Sequence, residues 1–106
     1  MEIPDSGLEF AEGSFGFNKD ITLYNTDGTL ADLTGYTSAV LTIEDDEGVN
    51  KLTVTLTLPG SSVVRWAVNS GDTNYNGNFL GQIKLAGAGK EDRTYIFPVR
   101  VTKRLD

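Results

Sequence analysis

The alternation in residues 52–68, LTVTLTLPGSSVVRWAV, restricts the fold more than anything else in this sequence. Leu52, Val54, Leu56 and Leu58 alternate with Thr53, Thr55 and Thr57. A period of two puts the aliphatic side chains on one face and the threonines on the other, which is a half-buried strand. Threonine is β-branched, so even the wet face favours extended backbone. Pro59-Gly60 then ends the strand, because Pro59 removes a ladder donor and Gly60 accepts positive φ. The chain returns with Val64, Trp66 and Val68 in one phase and Val63, Arg65 and Ala67 in the other. The pattern predicts a β-hairpin with one apolar face, closed by more than two loop residues. A lone hairpin is marginal in water, so the remaining chain must supply a second layer.

The other segments offer it. Residues 20–25 form a strand with Ile21 and Leu23 in one phase. Asn25-Thr26-Asp27-Gly28 and Asp32-Leu33-Thr34-Gly35 are tight turns, with Gly35 expected at positive φ and Asp32 capping its turn through a side-chain oxygen. Residues 36–44 form a strand with Ala39, Leu41 and Ile43 inward. In residues 79–85, Phe79, Gly81, Ile83 and Leu85 share a phase, and Gly81 is expected to lie under the indole of Trp66. A long last strand over 94–103 would turn Tyr95, Phe97, Val99 and Val101 inward and place Pro98 in the opposite phase, at a sheet edge or a break in the ladder. No helical period of useful length occurs. The expectation is an all-β, immunoglobulin-like β-sandwich of six or seven mainly antiparallel strands, with an open barrel as the competing packing. Its core would contain Leu41, Ile43, Leu56, Trp66, Val68, Ile83, Phe97 and Val99.

At 106 residues this is one domain, read as an N-terminal arm or edge segment over 1–17 and a sandwich over 18–106. Leu8, Phe10, Phe15 and Phe17 make the arm too apolar for a free tail. They either pack across the open end of the core or dock on a neighbouring subunit, and Leu8 and Phe10 also suit a short edge strand. With Pro98 they are the candidate partner-docking residues.

The turn residues carry a resemblance. DITLY at 20–24, NTDGT at 25–29 and DLTGY at 32–36, followed by a strand of branched residues, resemble the N-terminal immunoglobulin-like domain of phage upper baseplate proteins. Val64-Arg65-Trp66, Asp72-Thr73 in a polar loop and Asn76-Gly77-Asn78-Phe79 at a strand start continue the likeness, which spans residues 18–101. The resemblance implies a structural or attachment component of a tailed-phage virion: baseplate, tail, neck or fibre adaptor. Its partners would be other virion proteins, in a homo-oligomer or symmetric assembly. Relatives of that kind continue into a stalk or receptor-binding domain, which this chain does not show.

The residue inventory agrees with a non-enzymatic role. The chain has no histidine and no cysteine, which removes the commonest general base, the commonest zinc ligand and any thiol nucleophile. Fifteen acids against nine Lys and Arg give a formal charge of -6, which opposes binding to nucleic acid and to anionic membranes. No run approaches the roughly 18 apolar residues of a membrane span. The acidic turn Glu44-Asp45-Asp46-Glu47-Gly48 lacks the spacing and flanking helices of a calcium loop. No catalytic, cofactor-binding or metal-ligating residues are assigned. The alternative function is a carbohydrate-binding module for a cell-surface glycan, with Tyr24, Tyr36 and Tyr75 as stacking rings because each falls in a polar phase or loop.

Overall fold

The computed structural model describes residues 7–105 and is all-β, with no helix among the described residues. Its strands are β1 (Leu8–Ala11), β2 (Phe17–Thr22), β3 (Tyr36–Glu44), β4 (Asn50–Leu56), β5 (Val63–Val68), β6 (Gly77–Gly87), β7 (Lys90–Arg93) and β8 (Phe97–Thr102). The larger sheet runs β1-β8-β6-β3-β4, with β7 also on β6, and the smaller one pairs β2 with β5. β1 runs parallel to β8, and the remaining ladders are antiparallel.

β3 shows how the sequence specifies a strand. Ala39, Leu41 and Ile43 are fully buried, while the intervening Val40 and Thr42 are partly exposed. Across the core, Val64, Trp66 and Val68 of β5 are buried with them, as are Ile21 and Leu23. All the residues expected in the core are there. Fully burying a leucine or isoleucine removes apolar surface worth about 1.5–3 kcal/mol. The turn before β3 also forms as expected: Gly35 has φ of 90°, and Thr34 N–H donates to Asp32 Oδ1 at 2.9 Å.

Residues 52–68 do not form a single hairpin. β4 joins β3 in the larger sheet, whereas β5 joins β2 in the smaller one. Their only mutual ladder among the described residues is the Thr57–Arg65 bridge, with N–H to O distances of 2.9 and 2.8 Å. A hairpin would leave both apolar rows side by side on one face. Diverging after the bridge lets Leu56 and Trp66 enter one core from opposite layers, so each row covers the other.

The described strands number eight rather than six or seven. Leu8–Ala11 is a strand of the larger sheet, with Leu8 and Phe10 in the core. The last strand is shorter than the expected 94–103: β8 begins only at Phe97, and the residues ahead of that range form β7, paired with β6. Between them Thr94 is buried, and its Oγ1 accepts the N–H of Ile83 at 3.0 Å while its own N–H donates to Ile83 O at 2.9 Å. This side-chain bond interrupts the ladder and shifts the phase, so Tyr95 is exposed instead of inward. Phe97, Val99 and Val101 are buried as expected.

Pro98 is not on a free edge, because β8 lies between β6 and β1. It pairs with Leu80 on one side, and the β1 ladder begins one residue later, at Leu8 opposite Val99. The missing N–H therefore falls where the second ladder has not started. Gly81 is also packed differently from expectation. A Cβ there would lie 2.6 Å from the ring of Phe97 and 2.9 Å from Val99, both on neighbouring β8, and not against Trp66.

Candidate interaction surfaces

Four aspartates are held in structural bonds. Asp20 holds Arg65 through Nε at 2.7 Å and Nη2 at 3.1 Å, and that hydrogen bond keeps its carboxyl below the usual aspartate value. Asp27 accepts the hydroxyl and the N–H of Thr29, at 2.6 and 3.0 Å, and is lowered by them. Hydrogen bonds from Thr34 lower Asp32 in the same way. Asp45 Oδ1 accepts the N–H groups of Glu47 and Val49, each at 2.9 Å. Asp27, Asp32 and Asp45 thus cap turns, whereas Asp20 ties β2 to β5. Among the described residues, no three acidic side chains converge as a cation site would require.

The docking candidates separate into three groups. Leu8 and Phe10 face the chain's own core, where the Phe10 ring meets Trp66 edge-on at 5.0 Å. Phe15 and Phe17 are 60% and 40% exposed. Pro98 is exposed on the outer face of the larger sheet, opposite Leu80. The loop that presents Phe15 is pinned on both sides. Gly13 N–H donates to Thr73 O at 2.9 Å, Thr73 Oγ1 donates to Ser14 O at 2.8 Å, and Gly16 N–H donates to Val68 O at 2.8 Å. A shallow depression lined by Ala11, Glu12, Gly13, Ser14 and Arg104 lies beside the Phe15 ring.

Sequence reasoning missed Leu80 and Ile96. Both are exposed, and with Thr42, Glu44, Gly81 and Gln82 they line a depression of about 100 Å³ on the outer face of the larger sheet. The available signal was a leucine in the same phase as Gln82 and Lys84. Ile96 gave no comparable signal, because its direction depends on the phase shift at Thr94.

The three tyrosines do not share a platform. Tyr36 pairs with Gly87 at the far end of β6, and Lys90 Nζ covers its ring at 4.2 Å. Tyr75 lies just before Gly77, at the other end of this 11-residue strand, a separation of about 33 Å at ~3.3 Å per residue. Its ring is half-buried, edge-on to Phe79 at 4.8 Å. Burial, with the Asp72 charge adding to it, pushes its phenol up to about 12. Tyr24 is partly buried beside a bridge to Leu30.

No family model matches the chain, and no curated protein does. Solved structures do share its architecture. CopC from Methylosinus trichosporium OB3b is similar with a TM-score of 0.58 at 8% identity, over 100% of this chain and 94% of that one. An endo-beta-1,4-mannanase from Thermotoga petrophila is similar with a TM-score of 0.57 at 10% identity, over 97% of this chain and 19% of that one. At such identities the likeness concerns the β fold alone.

Proposed function

We propose that this chain is an immunoglobulin-like structural or attachment module of a tailed-phage virion, working through contacts with other virion proteins and carrying no catalytic centre. The observation that carries a contact role is Phe15: a large aromatic side chain held in solvent by a loop whose backbone is hydrogen-bonded on both flanks. Rigid aromatic anchors dominate protein–protein binding energies, and fixing them in advance lowers the ordering cost of binding. Phe17, two residues on, is a second large apolar side chain left partly exposed.

The phage assignment rests on the turn pattern. Two of the segments that carry the resemblance, 25–29 and 32–36, form capped turns, with Asp27 and Asp32 bonded to Thr29 and Thr34 and with Gly28 and Gly35 at positive φ. Particles purified on a density gradient should contain the chain at a fixed stoichiometry by quantitative mass spectrometry. A chain that stays wholly in the soluble fraction while particles assemble normally would refute the assignment.

A further inference from the structure

We propose that the outer edge of β4 pairs with the same edge of a second copy of this chain, antiparallel and centred on Thr53, so that two larger sheets become one. β4 ends the larger sheet, with β3 on one side of it. On the other side Thr57 exchanges both of its hydrogen bonds with Arg65, at 2.9 and 2.8 Å. Backbone groups alternate in direction along an antiparallel ladder. Thr57 points away from β3, so Leu56, Val54 and Leu52 point towards it, where they lie opposite Ala39, Leu41 and Ile43. Thr53 and Thr55 therefore direct their N–H and C=O groups outwards, where β5 has already left for the other layer. Both residues are exposed.

Unpaired edges are normally guarded by charge, proline or a bulge. The other strands at the sheet margins carry charge: Glu9 in β1, Lys19 and Asp20 in β2, Arg65 in β5 and every residue of β7. β4 has neither proline nor glycine, and its one charge, Lys51, sits at the bulge where the β3 register shifts. From Leu52 to Leu56 the edge is uncharged and rich in β-formers.

The side chains say what fits this edge. Leu52 and Val54 are only partly buried at the rim of the core, so the occupant must bring aliphatic residues to the inner face and polar ones to the outer face. β4 itself does both. With Thr53 at the centre, Leu52 of each copy lies opposite Val54 of the other and carries the apolar row across the junction. On the outer face Thr53 opposes Thr53, a favourable cross-strand pair, and Lys51 falls beside Thr55. Centring on Lys51 would oppose two like charges. Centring on Thr55 would bring Thr53 to Thr57, whose groups Arg65 already holds. A twofold contact satisfies the same backbone groups in both copies at once. This match of the strand to itself singles out a second copy as the occupant. The inference stands on the sheet edge and does not depend on the virion assignment.

Sedimentation equilibrium of the full chain tests it, with variants at Thr53. The wild type should be a reversible dimer. Thr53→Pro removes an outward N–H and leaves the ladder to β3 intact, and Thr53→Lys opposes two like charges. Each should weaken dimerisation at least about tenfold. Salt should recover part of the loss for Thr53→Lys and none for Thr53→Pro. The chain has no cysteine, so Thr53→Cys reports the contact directly. Residues opposed in this way have Cα atoms about 5.5 Å apart, within disulfide reach. Mild oxidation should link Thr53→Cys into dimers far faster than Glu9→Cys, on β1 at the opposite margin of the sheet. A wild type that stays monomeric to about 1 mM, a dimer indifferent to both Thr53→Pro and Thr53→Lys, or equal linkage rates for the two cysteine variants would each overturn the proposal. Particle incorporation is a separate measurement, so failure here would leave the attachment role standing.

Discussion

The indole N–H of Trp66 donates to Asp72 Oδ2 at 3.2 Å, and the same oxygen accepts the backbone N–H of Asn69 at 3.0 Å. Trp66 is fully buried, so its N–H needs a partner inside the fold. One carboxylate thereby satisfies the largest core side chain and shapes the loop that follows β5. Asp72→Ala should cost about 1–3 kcal/mol in urea unfolding, since it strands a buried donor. Asp72→Asn keeps an acceptor and should cost less. A loss below about 0.5 kcal/mol for the alanine variant would mean that the indole finds another partner.

The arm contains side chains with opposite duties. Phe10→Ala removes a buried ring packed against Trp66 and should cost about 3–5 kcal/mol. Phe15→Ala alters an exposed ring and should change stability by no more than about 0.5 kcal/mol. Equal effects of the two in chemical denaturation would contradict the burial pattern.

Glycine replacements should rank by what the new methyl meets. At Gly87 a Cβ would collide with the backbone carbonyl of Gly35, and neither backbone is free to move. Gly87→Ala should therefore cost at least about 1–3 kcal/mol. Gly35→Ala forces alanine to φ of 90° and should cost about 1 kcal/mol or more. Gly60 has ordinary φ, and its nearest neighbour is the Val63 Cβ at 3.9 Å, so Gly60→Ala should be neutral or slightly stabilising. Thermal melts of the three variants check the order.

Acid should destabilise the fold in a defined window. Asp20, Asp27 and Asp32 all lie below the ordinary value of 3.8 in the folded chain. A lowered folded value means that the unfolded chain takes up protons first. Their contribution is therefore present above 3.8 and is lost as pH falls through the folded values. The melting temperature should be insensitive to these groups from neutrality down to about pH 5 and should drop on further acidification. Asp32→Asn should shallow that drop.

At alkaline pH the sign reverses and one phenol is responsible. Tyr75 is raised from 10.0 to about 12 by burial, so ionisation favours the unfolded chain. Its contribution is complete below pH 10 and is lost as pH rises towards about 12. Tyr75→Phe also removes a buried hydroxyl that has no protein partner among the described residues. The melting temperatures of wild type and variant should diverge in favour of the variant between pH 10 and 12. Parallel curves over that range would show that Tyr75 is hydrated in the folded state.

What the sequence conveyed was local. Ala39, Leu41 and Ile43 announced β3 because period-two burial is written in consecutive residues. Asp32 and Gly35 announced their turn because the capping bond spans only two positions. Which strands pair was not local, and residues 52–68 show why. The alternation is the same whether β4 and β5 share a sheet or face each other across the core, and only the positions of β2 and β3 decide between them. Tyr95 and Ile96 escaped because one threonine hydroxyl, bonded to the distant Ile83, reverses the phase ahead of β8. The exposed strip containing Leu80 and Ile96 arises from that reversal combined with the β6–β8 register, so no single segment reveals it.

The parallel pairing of β1 with β8 has a mechanical consequence. Leu8 lies opposite Val99 and Ala11 opposite Thr102, so the chain enters this ladder at one end and leaves it at the other. Tension applied through the segments before β1 and after β8 would pull these two strands past each other along their length. Their interstrand hydrogen bonds then bear the load together, whereas an antiparallel terminal pair pulled from its open end would yield one bond at a time. Rupture requires the strands to slide and Leu8 and Phe10 to leave the core in the same event, and the lifetime under load is set by that unfolding step. The domain is wired as a link that transmits a pull without unzipping.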